Sequence, residues 1–305
     1  MKYTIAIPAY KQKYLYEAIQ SCLNQSYQDF EIVIVDDASP EDLISVVRKF
    51  DDKRIRYYRN AKNCGAKDVV NNWNICLTYA KGEYIICMGD DDRLLPNCLE
   101  EYDNLIKKYP AVNIVHGRTI KIDEHGDPIS ITSERMELES IYTFIWRRLK
   151  GRSQYIGDVC IKTETLRKSG GYYKLPFAWG SDEISAFIAC GKEGVVNTFT
   201  AVFEYRVNRF TITKSGNEEE KLMALMDIME WIRTFLESNP PQDFTDKLIV
   251  QEIRNKWDYY LSHKQEGTIA PSIRRNKFAV FKWLFVRKKY NLGTRTIIRT
   301  LLRNI

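Results

Sequence analysis

The stretch Glu83-Tyr84-Ile85-Ile86-Cys87-Met88-Gly89-Asp90-Asp91-Asp92 runs from an apolar segment straight into three adjacent carboxylates. The apolar part is short, Ile-rich and closed by a glycine, the pattern of a buried strand. Three neighbouring acids cannot continue a core, because unpaired carboxylates repel one another and are costly to desolvate. They either form a solvated turn or collect a cation. Carboxylates on a tight loop at a strand's carboxyl end suit a hard divalent ion such as Mg2+ or Mn2+, shared with phosphate oxygens.

On either side of this stretch, strand and helix patterns alternate. Tyr3–Ile7 reads as a strand, followed by Leu15, Ile19, Cys22 and Leu23 at helical spacing. Glu31–Val35 is an Ile/Val strand, residues 41–50 a helix and Ile55–Tyr58 a short strand; Val69, Val70, Trp73 and Leu77 then share one helix face before the strand Tyr84–Met88. This alternation predicts an α/β, Rossmann-like, mainly parallel sheet with helices on both faces. Ligands of such sheets bind beyond the carboxyl ends of the strands. Pro8-Ala9-Tyr10, Asp36-Asp37 and Gly89–Asp92 all fall at that edge. Further on, Val112–Ile122, Gln154–Ile161 and Val195–Val207 read as strands and the residues around Glu183–Ile188 as a helix. From about residue 217 the pattern is helical: Leu222, Leu225, Met226, Met229 and Ile232 form a stripe, a second helix covers 244–262, and Pro271 starts a third. The expected division is a catalytic domain over 1–215 and a helical C-terminal extension over 216–305.

The 305 residues are 44% hydrophobic and 28% charged, enough for a substantial core and a well-solvated surface. Seven cysteines lack any C-x-x-C pair and several have aliphatic neighbours, so they read as buried thiols rather than disulfides or a zinc site. His116, His125 and His263 have no metal-ligand spacing and read as surface or loop residues. Pro8 interrupts the first apolar run too early for a secretory segment, and Phe278–Val286 is too short to span a bilayer. The expected location is cytoplasmic. The net charge of +6 is uneven: residues 271–305 hold ten Lys or Arg and no Asp or Glu, so the rest of the chain is net acidic.

Ile5-Ala6-Ile7-Pro8-Ala9-Tyr10, Ala18–Tyr27 and Phe30–Ser39 resemble the opening of the family 2 glycosyltransferases. The similarity continues through Asn63-Cys64-Gly65 and Asp90–Pro96 to Gly180-Ser181-Asp182 and Tyr205-Arg206-Val207-Asn208, covering roughly residues 1–215. The resemblance implies a GT-A fold and an inverting transfer of a sugar from a nucleotide diphosphate, with a UDP-sugar the expected donor. The acceptor it implies is a hydroxyl of a glycan or lipid-linked glycan. It places the nucleotide against Pro8, Ala9 and Tyr10, where Tyr10 could stack on a base, and against Asp36, which could accept from a base N–H or a ribose hydroxyl. Asp37 and Ser39 compete as a helix cap. Asn63 and Gly65 would bring helix-start N–H groups to phosphate or ribose, while Lys67 reads as a solvated charge.

The acidic loop departs from the commonest family pattern, Asp-x-Asp-Asp followed by Pro. Aligned on Pro96, Gly89 stands where the first Asp is usual. The resemblance then assigns the Mn2+ or Mg2+ to Asp91 and gives Asp90 either the ribose or a supporting place behind the metal, while Asp92 either shares these duties, holds the loop through backbone N–H groups or pairs with Arg93. It makes Asp182 the general base, with Glu183 as rival, Ser181 as a helix-capping candidate and Trp179 as a stacking surface for the acceptor. Arg206 would neutralise a phosphate, in a closing segment with Asn208, Thr211 and Thr213.

The basic tail interleaves its cations with Phe278, Phe281, Trp283, Leu284, Phe285, Ile297, Ile298, Leu301 and Leu302. That pattern suits either helices packed on the protein or contact between residues 271–305 and an anionic membrane surface, which would place the protein peripherally at the inner face of the cell membrane. No nucleic-acid module is apparent, and the acidic remainder argues against one. A non-catalytic nucleotide-sugar-binding or membrane-scaffolding protein is the alternative from another class. A nucleotidylyltransferase would need a Gly-rich loop after the first strand, which is absent.

Overall fold

The computed structural model describes residues 1–208 and 217–304, in two compact units, Met1–Phe144 with Ser153–Lys214 and Ile145–Arg152 with Ser215–Ile305. The first unit is built on the strands β1 (Tyr3–Ala9), β2 (Phe30–Asp36), β3 (Ile55–Arg59), β4 (Tyr84–Cys87), β5 (Arg93–Leu94), β6 (Ile114–Ile122), β7 (Pro128–Ile131), β8 (Leu138–Glu139), β9 (Val159–Lys162) and β10 (Val195–Arg206). Their order is β3-β2-β1-β4-β9-β6-β10-β5, with β7 on β6 and β8 on β10. β1 to β4 are mutually parallel, β9 runs antiparallel between β4 and β6, and β10 is again parallel to β6. The sheet is therefore the mixed, mainly parallel one expected. Its helices are α1 (Leu15–Leu23), α2 (Leu43–Val47), α3 (Val69–Tyr79), α4 (Cys98–Lys108), α5 (Ile141–Leu149), α6 (Thr163–Lys168) and α7 (Ser181–Cys190), with α5 crossing the unit boundary.

The side-chain period of two divides β1 and β2 between two layers. Ile5, Ile7, Ile32 and Ile34 join Leu15, Ile19 and Cys22 of α1, Leu43 and Val46 of α2 and Leu99 and Tyr102 of α4 in one core cluster. On the intervening positions, the buried pair Thr4 and Glu31 share a hydrogen bond of 2.7 Å, and Lys81 and Gly82 donate backbone N–H groups to them. That arrangement satisfies a buried carboxylate where the α3–β4 turn meets the sheet.

The second unit holds α8 (Glu218–Ser238), α9 (Phe244–Asn255), α10 (Trp257–Arg275), α11 (Ala279–Val286) and α12 (Thr294–Arg303). Here the sequence expectation needs correction. The helix expected over 244–262 breaks at Lys256, and Pro271 lies inside α10 rather than at a helix start. A proline costs an interior helix one hydrogen bond and a clash with the preceding turn. Burial of Leu261, Gln265, Ile269 and Ile273 along one side of α10 outweighs that cost. His116 also differs from expectation: it is buried on β6, its Nε2 3.3 Å from Asp158 Oδ2.

Candidate functional site

Asp36 ends β2 fully buried. Its Oδ1 accepts from the Ser39 N–H at 2.8 Å, and its Oδ2 accepts from Tyr57 Oη at 2.5 Å and from the Arg59 guanidinium. The carboxylate thus ties the end of β2 to β3, and the half-exposed Arg59 is the group of this cluster that faces solvent. Asp37 and Ser39 do not cap a helix. Asp42 caps α2, while Asp37 accepts from Asn60 Nδ2 and the Cys64 N–H and so holds the 60–64 loop. Ser39 Oγ donates to the Tyr10 carbonyl at 2.6 Å. Asn63 Nδ2 donates to the Asp37 carbonyl, and Gly65 turns the chain at φ +78° into the short 66–68 turn before α3. A side chain would strain that backbone. The ends of β1 and β2 and the start of α3 are thus one hydrogen-bonded shelf, carrying Pro8, Ala9, Tyr10, Asp36, Asn63 and Gly65, with Tyr10 42% exposed.

The acidic loop is fastened to this shelf. Asp90 Oδ2 accepts from the backbone N–H groups of both Tyr10 and Lys11 at 2.7 Å. Burial, with Asp91 adding to it, pushes the Asp90 carboxyl up to about 6 against the pull of those two N–H groups. Asp92 is buried and its Oδ1 accepts from the Arg206 N–H at 2.9 Å; burial and then the charge of Asp91 hold its carboxyl well above the usual range. Asp92 therefore holds the loop through a backbone N–H, and Arg93 pairs with Glu204 and Glu17 instead. Asp91 is also raised by burial, countered first by Asn208, whose Nδ2 donates to Asp91 Oδ2. These shifts share one leading cause, the desolvation of a carboxylate by burial, to which the charge of Asp91 adds for Asp90 and Asp92.

Gly89 explains the departure from the Asp-x-Asp-Asp pattern. A Cβ at residue 89 would stand 2.9 Å from Asp91 Oδ1 and 3.0 Å from Asp92 Oδ2. The missing side chain is what lets those two carboxylates approach one point. Gly89→Ala should displace them at a cost of about 1–3 kcal/mol. A lowered melting temperature of Gly89→Ala checks this.

Arg206, at the end of β10, has no exposed side-chain surface. Its Nε donates to the Asp91 carbonyl at 2.8 Å, Nη1 to the carbonyls of Asp123 and Glu124 at 3.3 Å, and Nη2 to Glu17 Oε2 at 2.7 Å. The guanidinium also lies 4.2 Å from the centre of the Tyr14 ring. In this arrangement its donors are spent inside the protein, and none is presented to a ligand. Of the closing segment expected around it, Thr211 and Thr213 lie outside the described residues.

Asp182 is the second residue of α7, partly exposed, with its carbonyl accepting from Gln154 Nε2 at 3.3 Å. The helix is capped by Gly180 in the left-handed region at φ +88°, not by Ser181, whose buried Oγ accepts from the Leu175 N–H at 3.0 Å. Phe177 and Ala178, just before the half-buried Trp179, also adopt positive φ of 57° and 54°. Ala38, on the shelf, has φ 51°. Non-glycine residues in this region cost of order 1–2 kcal/mol each, and such strain gathers at functional sites. The 176–178 turn packs on the 66–68 turn, and Asn74 Oδ1 accepts from the Tyr172 N–H at 2.7 Å. The loop carrying Trp179 and Asp182 is thereby brought beside the segment that follows Asn63 and Gly65. Sequence reasoning missed Tyr14, Glu17, Tyr57 and Arg59, which hold Arg206 and Asp36. Only contacts between residues remote in sequence reveal them.

Residues 4–163 match the family described as glycosyl transferase family 2. An uncharacterized glycosyltransferase of Haemophilus influenzae is 28% identical over 167 residues, 54% of this chain and 63% of that protein. The GalNAc(5)-diNAcBac-PP-undecaprenol beta-1,3-glucosyltransferase of Campylobacter jejuni is 37% identical over 101 residues, 32% of each chain. In each of these comparisons the match spans less than two thirds of the relative's length. Among solved structures, S. aureus TarS 1-349 in complex with UDP-GlcNAc aligns with a TM-score of 0.65 at 16% identity, over 90% of this chain and 81% of that one. Mannosyltransferase PcManGT from Pyrobaculum calidifontis, in complex with GDP-Man and Mn2+, aligns with a TM-score of 0.55 at 17% identity, over 99% and 86%. These two likenesses carry the fold, which is of the expected GT-A type. The family match spans more than half of the sequence and takes in the shelf and the acidic loop, so the chain belongs to glycosyl transferase family 2.

Proposed function

We propose that the protein is an inverting glycosyltransferase that moves a sugar from a nucleotide diphosphate, a UDP-sugar foremost, to a hydroxyl of a glycan or lipid-linked glycan. The observation that carries this reading is the fastening of Asp90 onto the Tyr10 and Lys11 N–H groups. It joins an acidic loop to a shelf with an exposed aromatic, the combination a nucleotide carrying two phosphates requires. In the proposed division, residues 1–215 carry the reaction and residues 216–305 form a helical region that locates the enzyme at the inner membrane face.

The donor's base would lie on Tyr10, with Pro8 and Ala9 as its floor. Asn63 and Gly65 would meet ribose or phosphate at the start of α3. Asp36 keeps its place in this proposal as the residue that sets Arg59 and Tyr57, and Arg59 is exposed enough to meet a phosphate. Arg206 enters as the strut of the acidic loop rather than as a phosphate clamp.

The acidic loop fits a divalent ion in one respect and limits it in another. Asp91 and Asp92 converge on the space above Gly89 with raised carboxyls, a concentration of charge that a cation relieves. Yet no cluster of three His, Cys, Asp or Glu with metal-holding geometry exists among the described residues. Asp91, held by Asn208, would therefore supply one or two oxygens to Mn2+ or Mg2+, the remainder coming from the donor's phosphates and water. When bound, such an ion stabilises the charge developing on the departing diphosphate by several kcal/mol. Asp182 takes the proton of the acceptor hydroxyl as it attacks from the face opposite the diphosphate. Trp179, just ahead of α7, offers an apolar plane for the acceptor sugar.

A panel of UDP-, GDP- and dTDP-sugars, screened by calorimetry with Mn2+ and Mg2+ and by product analysis, tests the reading. One nucleotide series should bind in the micromolar range with metal and hydrolyse slowly. No heat and no hydrolysis with any of them would overturn it.

A further inference from the structure

The basic tail has two faces with different fates. In α11, Val280 and Trp283 face inward, and the Trp283 Nε1–H donates to Ser272 Oγ of α10 at 2.8 Å. Tyr290, Leu292 and Ile297 are buried as well, and Tyr290 Oη donates to Glu219 at 2.6 Å. This part of the tail is a packed helical layer of its own unit. Phe278, Phe281 and Phe285 are not part of it: they are 76%, 66% and 90% exposed. Phe278 is the N-cap of α11 and Phe281 and Phe285 follow it at three and four residues, so the three share one side, and Phe278 and Phe281 lie with their rings near-parallel, 6.5 Å apart. A soluble surface seldom presents three adjacent aromatics without a partner.

The charges of residues 271–305 divide too. Arg275, Lys282 and Lys289 are neutralised by Glu218 and Glu219, and Arg299 and Arg303 by Glu266. Among the described residues, Lys277, Lys288 and Arg295 have no carboxylate partner, while Arg274 and Arg287 bind only Asn304 and a helix carbonyl. Lys277 directly precedes the ridge and Lys288 follows it by three residues. No acidic side chain occurs between 271 and 305 to oppose them.

We propose that the Phe278/Phe281/Phe285 ridge of α11 inserts into the interface of an anionic bilayer while Lys277, Lys288 and Arg295 contact lipid phosphates. Aromatic rings flanked by cations match that interface, where the rings leave water and the cations keep theirs. This deepens the location given to the protein above and does not depend on the transfer reaction, since it is read without donor or acceptor. A protein partner would need an acidic groove to answer the same pattern. A second copy of this chain would bring its own unpaired cations face to face with these.

The test is co-sedimentation of the full chain with vesicles of phosphatidylglycerol mixed into phosphatidylcholine, and with phosphatidylcholine alone. Binding to the first, weakened by salt, and at least tenfold weaker binding to the second are expected. Phe278→Ser/Phe281→Ser/Phe285→Ser should lower the partition coefficient about a hundredfold, and Lys277→Glu/Lys288→Glu/Arg295→Glu by a similar factor. Both variants should melt as the wild type does, because none of these side chains is buried. Absence of vesicle binding by the wild type overturns the proposal, as does a triple serine variant that still binds. Phenylalanine-dependent self-association in sedimentation velocity, without lipid binding, would assign the ridge to a second copy instead. A nucleotide-sugar panel that fails while vesicle binding persists sinks the enzyme reading alone.

Discussion

Asp182→Asn should lower sugar transfer by about a thousandfold, the middle of the range for loss of a general base, and leave donor affinity within about twofold. The change keeps the shape of the side chain while removing its charge and its ability to accept a proton. The residue keeps its place through its backbone: Gln154 binds its carbonyl, and the left-handed Gly180 sets the entry into the helix. Single-turnover transfer and calorimetric donor binding, measured on the same preparation, read the two quantities separately. Glu183→Gln is the companion variant. Glu183 is buried, so its replacement should lower the melting temperature more than the rate per folded molecule. If Asp182→Asn transfers at the wild-type rate, the base lies elsewhere. If it loses donor binding and transfer in proportion, its role is in the shelf rather than in proton removal. A protein that binds nucleotide sugars without turning them over would show no transfer to lose, and only binding would be measurable in either variant.

The sheet is legible in the sequence because its strands have a local signature. Ile5–Ile7, Glu31–Val35 and Tyr84–Cys87 are short apolar runs that end in turn residues, and parallel pairing buries both their faces. The loops at their carboxyl ends can therefore be named before any coordinates. What each carboxylate does there cannot. Asp36 and Asp90 look alike in sequence, but one is closed over by Tyr57 and Arg59, and the other grips two backbone N–H groups 79 and 80 residues away. Such roles are set by contacts across the sheet, to which periodicity is blind. Pro271 misleads for the complementary reason. Its local preference is to start a helix, and only the buried stripe from Leu261 to Ile273 shows why α10 runs through it. Asn208 is a further case: only its contact with Asp91, 117 residues away, gives it a place in the site.

Arg206→Met should destabilise the first unit by about 2–4 kcal/mol, because it strips away a fully buried guanidinium while leaving its acceptors, some of them open to water, in place. The methionine fills much of the same volume but leaves the carbonyls of Asp91, Asp123 and Glu124 without their partner, and removes the cation from Glu17 and from the Tyr14 ring. Against a typical total of about 5–15 kcal/mol, this is a large fraction. For a unit of this size it corresponds to a melting temperature lower by roughly 10 °C. A phosphate clamp would behave differently: such a variant would melt normally and fail only when donor is added. Thermal unfolding with and without donor therefore separates the two roles. Glu17→Gln offers the check within the same cluster. Glu17 is partly exposed, so its own replacement should cost much less, and the double variant should cost less than the two single changes together, since each removes the same ion pair. Additive losses would mean that Arg206 and Glu17 act separately, and that the guanidinium is held by the carbonyls alone. Wild-type melting in Arg206→Met would remove the strut from the acidic loop and return Arg206 to the phosphate.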